Sequence, residues 1–101
     1  MNPPPDAGRT DLTFSREEAW VAHVALLVAS EAAVEAGEDA PAQLRPLRSL
    51  ERGRVLDHAE IELLRDALVD YLGDAPVRDR APGRALLRRA DRLLETRLQN
   101  V

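Results

Sequence analysis

The chain of 101 residues contains no cysteine and no lysine, and only three of its side chains are aromatic. Without cysteine, disulfide bonds and thiolate metal sites are excluded. The aromatic residues are Phe14, Trp20 and Tyr71, so a core must be built mainly from leucine, alanine and valine. Alanine, leucine, glutamate and arginine favour helices, whereas sheets favour β-branched and aromatic residues. The composition therefore indicates a helical protein.

Long apolar segments are also missing. The longest run, residues 19–29, is interrupted by His23, and it is too short to cross a bilayer, which needs about 20 apolar residues. Residues 1–13 are polar and proline-rich, without the apolar centre of a secretory signal peptide. These features predict a cytoplasmic protein that does not enter a membrane.

Two capping boxes mark the starts of predicted helices. Ser15 and Glu18 form the first, and Asp57 and Glu60 form the second. In each box, both side chains accept a hydrogen bond from the other residue's backbone N–H. Gly37 is a natural stop for the first of these helices, since glycine adopts the left-handed conformation that commonly ends a helix. The helix boundaries are therefore readable in this part of the chain.

The apolar spacing between such signals predicts an all-α protein, a compact bundle of three to four helices joined by short loops. Pro46 is expected to kink or delay the second helix, and residues 74–83 are predicted to be a linker. We expect residues 1–13 to form a disordered tail and residues 14–101 to form a single helical domain. The predicted helices cover about residues 15–36, 42–52, 58–72 and 82–100.

No motif for catalysis or cofactor binding stands out. The two histidines, His23 and His58, lie far apart in sequence, without the local spacing of zinc ligands. There is no nucleophile elbow, Walker A motif or glycine-rich dinucleotide fingerprint. We therefore expect no enzyme activity, no cofactor and no metal. One hypothesis of chemistry stays open, a small-ligand or catalytic pocket near Trp20 and His23.

The first predicted helix is apolar almost all round over residues 19–29. A helix of this kind is buried on more than one side, either at the centre of the bundle or against another protein. The second interpretation predicts a homodimer, or a complex with another protein. Tryptophan is a frequent anchor of such interfaces. The predicted contact residues are Trp20, His23, Val24, Leu27 and Val28.

The charges are unevenly distributed along the chain. The net charge is −4, which argues against a general nucleic-acid binder because phosphate contact needs a cationic face. The last predicted helix nevertheless carries an arginine stripe, partly offset by Asp91 and Glu95. Contact with nucleic acid, pairing with acidic protein surfaces and an ordinary solvated face all remain open. The residues of the stripe are Arg84, Arg88, Arg89 and Arg92.

Two segments resemble a known group of proteins. Residues 14–23 read Phe-Ser-Arg-Glu-Glu-Ala-Trp-Val-Ala-His, and residues 56–72 follow the pattern L-x-x-x-E-x-x-x-L-R-x-x-L-x-x-Y-L. Together they resemble small helical proteins of unknown function from haloarchaea. The resemblance implies a cytoplasmic, high-salt setting and brings no assigned activity or site. In molar salt, interactions between surface charges are strongly screened.

Overall fold

A computed structural model describes the backbone of residues 11–99 and the side chains of residues 11–96. Most of the predicted tail, residues 1–10, lies outside the described part. Over the described part the chain forms helices without strands, which confirms the predicted all-α bundle. The helices are α1 (Arg16–Glu35), α2 (Leu44–Glu51), α3 (His58–Leu72) and α4 (Val77–Gln99).

Helix α1 begins and ends where its sequence signals predict. The Ser15 hydroxyl accepts a hydrogen bond from the Glu18 backbone N–H at 3.2 Å, and Glu18 Oε1 accepts one from the Ser15 N–H at 2.8 Å. At the other end, Gly37 has a φ of 102°. The Glu38 N–H then reaches back to the carbonyl of Ala33 at 3.0 Å. This is the Schellman arrangement, which requires the left-handed glycine.

Helix α2 is short because Pro41 precedes it and Pro46 lies in its first turn. Residues 41–43 form a tight turn in which the Leu44 N–H bonds to the Pro41 carbonyl at 3.1 Å. Pro46 is the third residue of the helix, where its missing N–H costs no intrahelical bond. The start is thereby delayed, as the position of Pro46 predicts, and the buried proline ring contributes to the core.

Helix α4 begins at Val77, five residues before the predicted start at residue 82, and Pro82 lies inside it. The prediction relied on the preference of proline for the first helical position. A tertiary contact overrides that preference. Asp79, in the first turn, is buried and accepts a hydrogen bond from the Tyr71 hydroxyl of α3 at 2.6 Å. This bond joins the start of α4 to the end of α3.

The core lies where α3 packs between α1 and α4, with α2 closing one side. Leucine and alanine dominate it, as the shortage of aromatic residues requires. Leu12 falls within the predicted tail, yet only 4% of it is exposed and it packs in this core. The ordered domain therefore includes residues before Phe14. The largest fully buried side chains are Leu26, Leu64, Leu68, Leu86, Val21 and Pro46.

Glu18 caps α1 and also joins α1 to α4. Its side chain is buried in the core-facing side of α1, where Oε1 also accepts a hydrogen bond from Arg89 of α4 at 2.9 Å. Arg89 donates a further hydrogen bond to the Thr13 carbonyl. A buried carboxylate is costly unless it is paired and hydrogen-bonded, so Glu18 and Arg89 depend on each other.

We predict that Glu18→Ala lowers the free energy of unfolding by about 2 kcal/mol, because it removes the capping box and leaves Arg89 without its carboxylate. Urea unfolding followed by circular dichroism measures the change. Glu17→Ala is the matched control, since Glu17 is an exposed neighbour in the same turn. Equal stability of the two variants would show that the Glu18 contacts contribute nothing.

Candidate functional site

An unusual set of apolar side chains faces solvent along α1. Trp20, Leu27, Val28 and Val34 are 57%, 40%, 48% and 56% exposed. Val24 lies among them and is half-buried. We call these five residues the α1 outer face. Isolated exposed apolar residues are common, but these five share one side of one helix, where the exposed Glu31 separates Val34 from the other four. Grouped apolar side chains of this kind often mark an interaction surface.

The opposite side of α1 packs against the core. Val21, Ala22, Ala25 and Leu26 are almost completely buried there. In the sequence, residues 19–29 are apolar almost all round the helix. The structure divides these apolar residues between two surfaces, a core face and a separate outer face. The sequence prediction did not include Val34, although its position seven residues after Leu27 and fourteen after Trp20 is a detectable signal.

The two ends of the α1 outer face differ in charge. Near Trp20, the exposed residues Arg16, Glu17 and Arg78 line a common concavity. At the other end four exposed residues are all acidic, and they form what we call the acidic end. Its members are Glu31, Glu35, Glu38 and Asp39. The acidic end carries no basic residue to balance it on the outer surface of the helix.

His23 borders the outer face on the side of α2. It is half-buried, and its Nε2 lies 3.9 Å from the Glu51 carboxylate at the end of α2. The concavity beside Trp20, about 260 Å³, has Pro82 and Asp79 among its lining residues but not His23. This concavity therefore involves Trp20 without His23, and the hypothesis of a small-ligand pocket near both residues stays a prediction.

The arginine stripe of α4 divides into two parts. Arg89 points inward to Glu18 and is a structural residue. Arg84, Arg88 and Arg92 are exposed. Arg88 and Arg92 line a shallow surface together with two acids of α4. One of these acids, Asp91, is also 3.6 Å from Arg65 of α3. The stripe is thus a surface of mixed charge.

A second group of arginines lies around α2, where sequence analysis placed no site. Arg45 pairs with Asp57. Arg48, Arg52 and Arg54 make no ion pair within residues 11–96. All four line a groove of about 810 Å³ between α2 and the start of α3. Arginines without an ion pair among residues 11–96 therefore lie on both surfaces, around α2 and along α4.

The described residues contain no group of three or more histidine and carboxylate side chains arranged to hold a metal ion. None of the helices described here is long and apolar enough to cross a membrane.

The fold perturbs the titration of Tyr71. Its pKa is raised above the ordinary value of 10.0, first because the phenol donates its hydrogen bond to Asp79 and then because burial disfavours the phenolate. Ionisation would remove that donor and place two negative charges together. The shift stabilises the junction of α3 and α4 and does not prepare Tyr71 as a base at neutral pH.

We predict that the absorbance titration of Tyr71 near 295 nm has its midpoint above pH 10, and that Asp79→Asn lowers it. A raised folded-state pKa contributes stability that is present below the unfolded value and lost as pH rises through the folded one. Stability should therefore fall above about pH 10, and less steeply in Asp79→Asn. A midpoint unaffected by Asp79→Asn would contradict this assignment.

The described residues form a small four-helix protein with exposed apolar side chains along one side of α1. The chain belongs to the family of unknown function DUF7853, whose match covers residues 12–91. The match includes the buried Leu12 and both capping boxes. No curated protein and no solved structure matches the chain.

Proposed function

We propose that this protein is a non-enzymatic interaction module that self-associates through the α1 outer face. The observation that carries the proposal is the exposure of Trp20, Leu27, Val28 and Val34 on one side of a helix whose other side is fully packed. These residues contribute little to the core, so their apolar character is unexplained by folding. Burial between two copies removes that surface from water.

The length of the α1 outer face determines how strong we expect the self-association to be. From Trp20 to Val34 the helix advances about 21 Å, so a contact of this length is at the small end of specific interfaces. Each fully buried aliphatic side chain contributes roughly 1.5–3 kcal/mol of transfer free energy. Association also costs several kcal/mol in lost freedom of motion. A weak, concentration-dependent dimer is the expected result.

The proposed setting is a haloarchaeal cytoplasm with high salt. Its support is the resemblance of residues 14–23 and 56–72 to haloarchaeal proteins. High salt screens exposed ion pairs, and salts that are excluded from protein surfaces strengthen apolar burial. An interface built mainly on apolar contacts fits such a setting better than one built on surface charges.

We predict that Leu27→Asp abolishes self-association and leaves a folded helical monomer, since Leu27 is central in the outer face and 40% exposed. Light scattering behind size exclusion, at low and high salt over a range of protein concentrations, measures the mass. The parent chain should dimerise more strongly at high salt.

Val69→Asp is the matched control, because Val69 is 54% exposed on α3, outside the α1 outer face. It should retain the association of the parent chain. Two results would sink the proposal: a parent chain that stays monomeric at all concentrations and salts, or a Leu27→Asp variant that still dimerises. Circular dichroism distinguishes dissociation from loss of fold.

The second hypothesis is a nucleic-acid-associated regulator that uses the Arg-rich last helix. Arg84, Arg88 and Arg92 are exposed and available for phosphate contact, whereas Arg89 is occupied by Glu18. The neighbouring acids and the net charge of −4 disfavour it. Salt-sensitive retention on immobilised DNA that is lost in Arg84→Ala/Arg88→Ala would favour this hypothesis over self-association alone.

A further inference from the structure

Self-association through α1, if the proposed function holds, has a definite geometry. We propose that two copies pair with their α1 helices antiparallel, about a two-fold axis at the level of Leu27. The inference rests on the proposed function and goes beyond it, because it specifies the register and direction of the contact. Three features of the α1 outer face lead to it.

The first feature is the spacing of the exposed side chains. Trp20, Leu27 and Val34 follow one another at intervals of seven residues. A straight helix turns only about 20° off register per seven residues, so the three stay on one side. A two-fold axis through Leu27 then places Trp20 opposite the partner's Val34, with Leu27 opposite the partner's Leu27. The bulkiest side chain thereby meets a small one at both ends.

The second feature is the difference in charge between the two ends. The acidic end has four exposed carboxylates, and the end near Trp20 carries Arg16 and Arg78 against Glu17. A parallel pair would place eight like charges together, which is unfavourable. An antiparallel pair instead brings each acidic end near the arginines of the other copy. The helix dipoles favour the same direction.

The third feature is the position of His23 at the edge of the outer face. His23 lies four residues before Leu27 and Glu31 four residues after it. The two-fold axis at Leu27 therefore places His23 opposite the partner's Glu31. An imidazole N–H can donate a hydrogen bond to a carboxylate. His23 also lies 3.9 Å from Glu51 of its own copy, so it would stand between two carboxylates. A parallel pair would instead bring two histidines together.

Because the chain has no cysteine, single-cysteine variants test the register without background. The variants are Trp20→Cys, Leu27→Cys and Val34→Cys, each at an exposed position. A disulfide needs Cα atoms within about 7 Å. In the antiparallel register, Trp20 of one copy and Trp20 of the other lie roughly 21 Å apart along the helix axis. Only a cysteine at position 27, on the two-fold axis, can therefore form a disulfide with the same position of the other copy.

We expect Leu27→Cys alone to form a disulfide dimer rapidly under mild oxidation, at least tenfold faster than Val69→Cys, which reports random collision. Trp20→Cys and Val34→Cys should each cross-link no faster than this control, and a mixture of the two should form the mixed dimer. Non-reducing gels of the full chain over time measure all five samples. Light scattering of the reduced samples gives their mass.

The outcomes separate the two proposals. A reduced protein that dimerises while Trp20→Cys and Val34→Cys each cross-link with themselves overturns the antiparallel register and leaves self-association intact. A dimer in which none of the three cysteines exceeds the control shows that another surface is used, and overturns both proposals. A monomer at every concentration also overturns both. Selective cross-linking of Leu27→Cys and of the mixture supports both.

Discussion

Two buried glutamates, one in each capping box, connect the four helices. Glu18 caps α1 and accepts a hydrogen bond from Arg89 of α4. Glu60 caps α3, and its other oxygen accepts one from Ser49 of α2 at 2.7 Å. Each carboxylate satisfies a free N–H at a helix start and a donor on a second helix. A buried charge without partners is costly. The pair α1 and α4 and the pair α2 and α3 therefore each have one favoured arrangement.

These connections explain why α1 can leave an apolar side uncovered. The ion pair of Glu18 and the packing of Val21, Leu26 and their neighbours hold α1 from its inner side. The outer side is not needed to position the helix. An apolar surface that folding does not require is available for the proposed association, and in the proposed pairing the acidic end sets its direction. The proposed function follows from this division of one helix into two faces.

The sequence predicts most of the helices because their signals are local. The capping boxes at Ser15 and Asp57 and the glycine stop at Gly37 act within one turn, and the structure has them all. The start of α4 was predicted wrongly, since it depends on a hydrogen bond between Tyr71 and Asp79 of different helices. Propensity alone does not include such a bond.

The candidate site shows the same distinction between local and tertiary information. Apolar spacing placed Trp20 and Leu27 on an apolar helix, but it could not tell a core position from an exposed one, because both are apolar. Arg89 was grouped with the stripe of α4 by its spacing, yet it points to Glu18. Only the packing of the other helices decides which side of α1 or α4 remains in solvent.

The most direct test of the central claim uses Trp20, the single tryptophan of the chain, as a reporter within the α1 outer face. Its fluorescence emission should move to shorter wavelength as the protein concentration rises, in parallel with the mass from light scattering, because association removes the indole from water. Emission that stays at the wavelength of an exposed indole while the mass doubles would contradict the account.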